Sequence, residues 1–171
     1  MSTSMFENKT DLARLLVKPL YFGLVVNIII PMGLLLVCFY INNNNYVENR
    51  VDAFSNILFY IFAIMALAEA GFALWWRTKL YDRPMIRRQE TFEGDFVQAL
   101  VARSKPVFIL IASISIYGYI YFFLTGRFTE AVLFVVFSFL VFQVVRPRYG
   151  MVQKLIARQE QLVKQGKFLT D

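Results

Sequence analysis

At 171 residues, 58% of them apolar and 17% aromatic, the chain carries far more hydrophobic surface than a soluble domain of its length can bury. Histidine is absent and Cys38 is the only cysteine. That excludes intramolecular disulfides, cysteine–histidine catalysis and the common zinc, haem, copper and iron–sulfur ligand sets, so neither metal nor cofactor is expected. The net charge of +6 comes from basic residues gathered between long apolar runs. It reads as a membrane orientation signal rather than a nucleic-acid footprint, because no aromatic–basic module accompanies it.

The first apolar run covers residues 20–41 and follows Lys9, Arg14 and Lys18. It is too long for the apolar core of a cleaved signal peptide, and INNNNYVENR offers no small-x-small cleavage site, so a retained signal-anchor span is expected. Asn27 stands four residues before Pro31, whose ring removes a backbone hydrogen bond and strands the Asn27 carbonyl. The Asn27 amide is expected to help satisfy that kink. Asn42 to Asn45 then read as a solvated loop, flanked by Tyr40 and Tyr46 at the interface.

The second run covers 53–76. Ala63, Ala66, Ala70 and Ala73, spaced by three, four and three, lay small residues along one stripe where another backbone can approach closely. Glu69 borders that stripe and should face a neighbouring helix. It lies about 12 Å along the helix from Arg77, and an ionised carboxylate at such a depth costs about 2–3 kcal/mol. Arg77 folding back and Gln143 of the fourth run are the expected partners. Three roles compete for Glu69: a polar clamp between helices, a contact to a basic group on another subunit, and a proton or ion relay.

The loop 77–105 holds Arg77, Lys79, Arg83, Arg87, Arg88, Arg103 and Lys105. Within it Phe92, Phe96, Val97, Leu100 and Val101 recur at helical spacing, with Glu93 and Asp95 in the first turn, where the helix dipole favours acids. This predicts a short amphipathic helix on the membrane surface or against a partner. The third run, 106–124, contains Ser113 and Ser115 as packing residues. Thr125-Gly126-Arg127 makes a tight turn into the fourth run, 128–145, which carries Glu130 near Arg127, and Ser138. The basic tail 146–171 has its own apolar face of Val152, Leu155, Ile156, Leu162 and Val163. Both amphipathic segments also fit helical extensions packed on each other.

Lysine and arginine crowd the N-terminal segment, the middle loop and the tail, leaving Arg50 and Arg127 for the other two connections. The positive-inside rule then places both termini and the middle loop in the cytoplasm. A weak repeat, LARLLVKPLYF before the first span and LVARSKPVFIL before the third, is compatible with duplication of a hairpin. The expected architecture is an all-α integral membrane protein of the bacterial inner membrane. Four transmembrane helices form two antiparallel hairpins, with short cytoplasmic amphipathic helices. No nucleophile–base pair stands out, and Glu93 and Asp95 look like helix-start acids. The expected role is therefore a non-catalytic accessory, scaffold or assembly subunit, partnered by other membrane subunits or by itself, within the lipid bilayer and without nucleic acid. The alternatives are a small homo-oligomeric proton or cation channel or transporter using Glu69, and a membrane-embedded lipid enzyme.

Overall fold

The computed structural model describes residues 17, 19–47, 49, 53–81 and 83–169. The orientation signals at Lys9, Arg14, Lys18 and Arg50 lie outside the described residues. Among the described residues five helices follow one another: α1 (Pro19–Asn43), α2 (Ala53–Tyr81), α3 (Phe92–Thr125), α4 (Phe128–Val145) and α5 (Tyr149–Lys164). A 3-10 turn, Gln89–Thr91, leads into α3. Four stretches are long and apolar enough to cross a membrane: Pro19–Asn43, Ala53–Lys79, Gly94–Thr125 and Phe128–Val145.

α3 and α4 form a tightly packed antiparallel pair at the centre. Gly126 makes the turn possible: at φ +70° it occupies the left-handed region, and its N–H reaches the Phe122 carbonyl at 2.7 Å. The pair then runs in register through Phe122 against Phe128, Gly118 against Ala131, Ser138 bonded to Ile111, and Phe108 against Phe142. Half of the apolar window of α3 is buried, against 17% for α1 and for α2, so α3 is the axle of the bundle.

α1 and α2 each pack against this central pair and share almost no contact with one another. The first two spans therefore do not pair as a hairpin equivalent to α3–α4. The reason lies in where the small residues sit. Ala66, Ala70 and Ala73 of α2 are buried against α3 and α4. Gly23 and Cys38 of α1 turn toward the same pair, with Cys38 buried among Tyr119, Phe122, Ala131 and Val135. The outward faces, including Leu34, Leu36 and Phe39 on α1 and Ile57, Ile64 and Leu67 on α2, are exposed aliphatic and aromatic surface suited to lipid.

The loop segment is not a separate surface helix. α3 runs unbroken for 34 residues, about 51 Å at 1.5 Å per residue, and passes through Pro106. Phe96, Leu100, Ser104, Val107, Phe108 and Ile111 are all buried along one stripe at three- and four-residue spacing, so continuing the helix buries both parts at once. The first dozen residues precede the apolar run 106–124. There Phe92, Phe96 and Leu100 meet Met85, Ile86 and the apolar face of α5 (Val152, Leu155, Ile156) in a second core. The two amphipathic segments thus cover one another.

A buried amide pins this second core together. Gln159, 1% exposed, accepts from the Met85 N–H at 2.9 Å and donates to the Arg83 carbonyl at 3.2 Å. Arg103 reinforces the segment by donating to the carbonyls of Arg83 and Pro84, and Leu169 N–H bonds to the Ile86 carbonyl. Gln159→Leu leaves the Met85 N–H without its partner and should lower stability by about 2 kcal/mol. Faster amide exchange confined to residues 83–86 and α5 is the expected signature; uniform exchange across the bundle would contradict it.

Candidate functional site

The polar groups within the apolar spans collect around the middle of α3. Ser115 lies ten residues from Thr125 at the end of that helix, or about 15 Å, half the thickness of a hydrocarbon core of about 30 Å. Glu69 of α2 sits at the same level. Its carboxylate accepts a hydrogen bond from Ser113 Oγ at 2.7 Å and another from the Tyr117 hydroxyl. Ser113 and Tyr117 are four residues apart and therefore share one face of α3. α2 runs antiparallel to that face: Phe62 stacks on Tyr117, Phe59 meets Tyr121, and the Tyr121 hydroxyl reaches the Ser55 carbonyl. Glu69 is half-buried, and so are both of its partners.

Neither expected partner holds this carboxylate among the described residues. The guanidinium of Arg77 donates to the Val144 carbonyl at 2.8 Å and contacts the Met151 sulfur. The unpaired carbonyls and negative dipole end at the C-terminus of α4 compete well for a cation. Gln143 contributes its backbone carbonyl to Arg148 at 3.3 Å, and its side chain is half-buried. Along the bundle Glu69 is thus level with Ser113 and Tyr117, near the middle of the apolar run 106–124.

The alanine stripe is used within the chain. Ala66, Ala70 and Ala73 are 2%, 7% and 0% exposed under α3 and α4, whereas Ala63 is half-buried. Ala63 opens into a groove of about 210 Å³ between α2 and α4, lined by Phe59, Ala66, Leu67, Leu133, Phe134 and Phe137.

No protein-family model, curated protein or solved structure matches this chain. Its chemistry therefore rests on its own geometry.

Asn27 is 1% exposed, inside a π-helical stretch, Val25–Ile29, that immediately precedes Pro31. The Ile30 N–H reaches back to the Val25 carbonyl, a span of five residues that accommodates the missing proline donor. Asn27 Nδ2 donates to the Gly23 carbonyl at 3.1 Å, on the upstream side of the kink. The Tyr119 hydroxyl of α3 bonds the Pro31 carbonyl at 2.6 Å. These two bonds engage the carbonyls of Gly23 and Pro31, one locally and one from across the bundle, rather than the Asn27 carbonyl that the proline strands. The sequence points to Asn27, Glu69 and the packing serines, but not to Tyr117 or Tyr119. The four-residue spacing of Ser113 and Tyr117 was a usable signal; knowing that they face α2 required the packing.

At the basic end, Asp95 is a tether. Its Oδ2 accepts from the N–H groups of Arg87 (2.9 Å) and Arg88 (3.4 Å) and from the Thr91 hydroxyl (2.8 Å). These bonds, led by that from Arg87, hold its carboxyl below the usual carboxylate range. Because the native pKa is the lower one, the tether is in force at neutral pH and is lost as the pH falls through that depressed value. Asp95→Ala should speed tryptic cleavage after Arg87 and Arg88 several-fold; an unchanged cleavage rate would show that other contacts hold the segment. The side chain of Glu93, its partner in the lipid-enzyme reading, lies outside the described residues. At the opposite end of the bundle Arg127 pairs with Glu130 and donates to Asn56 Oδ1 at 2.8 Å, tying α2 to the turn.

Proposed function

We propose that this chain is a non-catalytic accessory, scaffold or assembly subunit of a larger complex in the bacterial inner membrane, with both termini and the loop 77–105 in the cytoplasm. The observation that carries the reading is the groove beside Ala63. Its lining is apolar, it opens laterally between α2 and α4, and it has the size to receive a large apolar side chain from a neighbouring helix. The rest of the alanine stripe and the two amphipathic segments are covered by the chain itself, so this groove replaces them as the surface through which a partner is joined. The distribution of lysine and arginine supports the orientation. The test is extraction into native lipid discs followed by native mass spectrometry of the intact assembly. A mass that includes other polypeptides, and that loses them in Ala63→Trp, is the expected result. A monomer, or a complex indifferent to Ala63→Trp, rejects the proposal.

A second reading follows from Glu69, a half-buried carboxylate at mid-span: a homo-oligomeric proton or cation channel or transporter. It requires flux in reconstituted vesicles that Glu69→Gln abolishes.

A further inference from the structure

Two buried oxygens near the middle of the bundle have no hydrogen-bond partner among the described residues: Asn27 Oδ1 on α1 and Ser115 Oγ on α3. Both residues are 1% exposed. Buried polar atoms are normally satisfied, by protein or by internal water.

Two contacts between α1 and α3 bracket the residues that carry these atoms. Below them, Gly23 approaches Phe108 so closely that a Cβ there would lie 2.9 Å from the ring. Above them, the Tyr119 hydroxyl bonds the Pro31 carbonyl. Asn27 is four residues from both Gly23 and Pro31; Ser115 is seven from Phe108 and four from Tyr119. These spacings keep each residue on the face that carries its neighbours. α1 and α3 are parallel here, so Asn27 and Ser115 both lie between the two contacts, each four residues before the upper one. Ser115 is also the small residue in a seam otherwise filled by Phe108, Tyr119 and Phe122.

Each oxygen is denied its usual outlet. A helical serine normally donates to the carbonyl four residues back. For Ser115 that is the Ile111 carbonyl, which instead accepts from Ser138 Oγ of α4 at 2.9 Å. The Asn27 amide nitrogen is committed to the Gly23 carbonyl, which leaves Oδ1 as the inward-facing acceptor.

We propose that a single water molecule is held between α1 and α3, donating to Asn27 Oδ1 and accepting from the Ser115 hydroxyl. Water fits better than a dehydrated cation. The Glu69 carboxylate is engaged on the α2-facing side of α3, and an uncompensated charge in an apolar span is costly. The water completes a polar layer: α2 joins α3 through Glu69, α4 joins α3 through Ser138, and α1 joins α3 through the water.

Crystals of the full chain grown in a lipidic phase, from sodium and in parallel from thallium salts, test the site directly. The expected result is one density peak within about 3.2 Å of both oxygens, with no thallium anomalous signal. A direct Asn27–Ser115 hydrogen bond without a peak overturns the proposal, as does a thallium peak, which would make this a cation site. A mutant cycle gives an independent reading. Asn27→Leu and Ser115→Ala should each lower Tm by about 3–6 °C, and the double variant by no more than the larger single loss, because either change removes the shared ligand. Additive losses overturn the proposal.

Discussion

Gly118→Leu should destabilise the bundle by about 3 kcal/mol, and Gly118→Ala by about half as much. A Cβ at Gly118 would lie 2.8 Å from the Ala131 carbonyl oxygen and 2.9 Å from Phe134 Cβ. The first of these is backbone and cannot swing aside, so even a methyl group forces α3 and α4 apart. Separation at this point also disturbs the neighbouring Tyr121–Phe134 contact and the Ser138–Ile111 hydrogen bond on the same interface. Gly33 is the internal control, since a Cβ there meets nothing within 4 Å. Gly33→Leu should leave unfolding in detergent or bicelles nearly unchanged. Equal sensitivity at the two glycines would mean that α3 and α4 are not closely packed.

The other large effect is at Glu69, where three substitutions separate shape, hydrogen bonding and charge. Glu69→Gln keeps an acceptor for Tyr117 and supplies an amide that can bond Ser113 Oγ, so stability should stay within about 1 kcal/mol of the parent. Glu69→Leu strands the Tyr117 hydroxyl in an apolar span at a cost of about 1–2 kcal/mol. Ser113 is less affected because its hydroxyl also lies 2.5 Å from the Leu110 carbonyl. Adding Tyr117→Phe to Glu69→Leu should recover part of the loss, since both partners are then apolar. Glu69→Lys places a cation at mid-span and should cost about 3 kcal/mol. The ordering Gln, Leu, Lys in unfolding free energy is the result to check. A Leu variant as stable as the parent would show that the hydroxyls contribute nothing.

Much of the architecture was legible in the sequence because span length and charge bias are properties of single segments. The fourth span, 128–145, matches α4 residue for residue, and the Gly126 turn follows from one residue type. The helix that carries the third span starts before it, although Lys105-Pro106 resembles the opening of a helix. The stripe through Phe96, Leu100 and Ser104 continues the helix across that proline. The alanine stripe marks one side of α2, and Glu69 beside it meets Ser113 and Tyr117 of α3. Its partners were not legible, because they depend on α2 lying against α3 rather than against α1. Arg77 was judged by its reach along its own helix, and the competing carbonyl of Val144 comes from a helix 67 residues away.

The dependence of α2 on α3 has a consequence for synthesis. The first two spans leave the ribosome before the pair that receives them. Glu69 precedes Ser113 by 44 residues, which at about 5–20 residues per second means a delay of about 2–9 s. Through that interval the alanine face of α2 and its carboxylate are without the helices that cover them, and α1 offers them almost no contact. Nascent chains arrested between residues 81 and 113 should therefore be the form that insertion factors and membrane proteases meet.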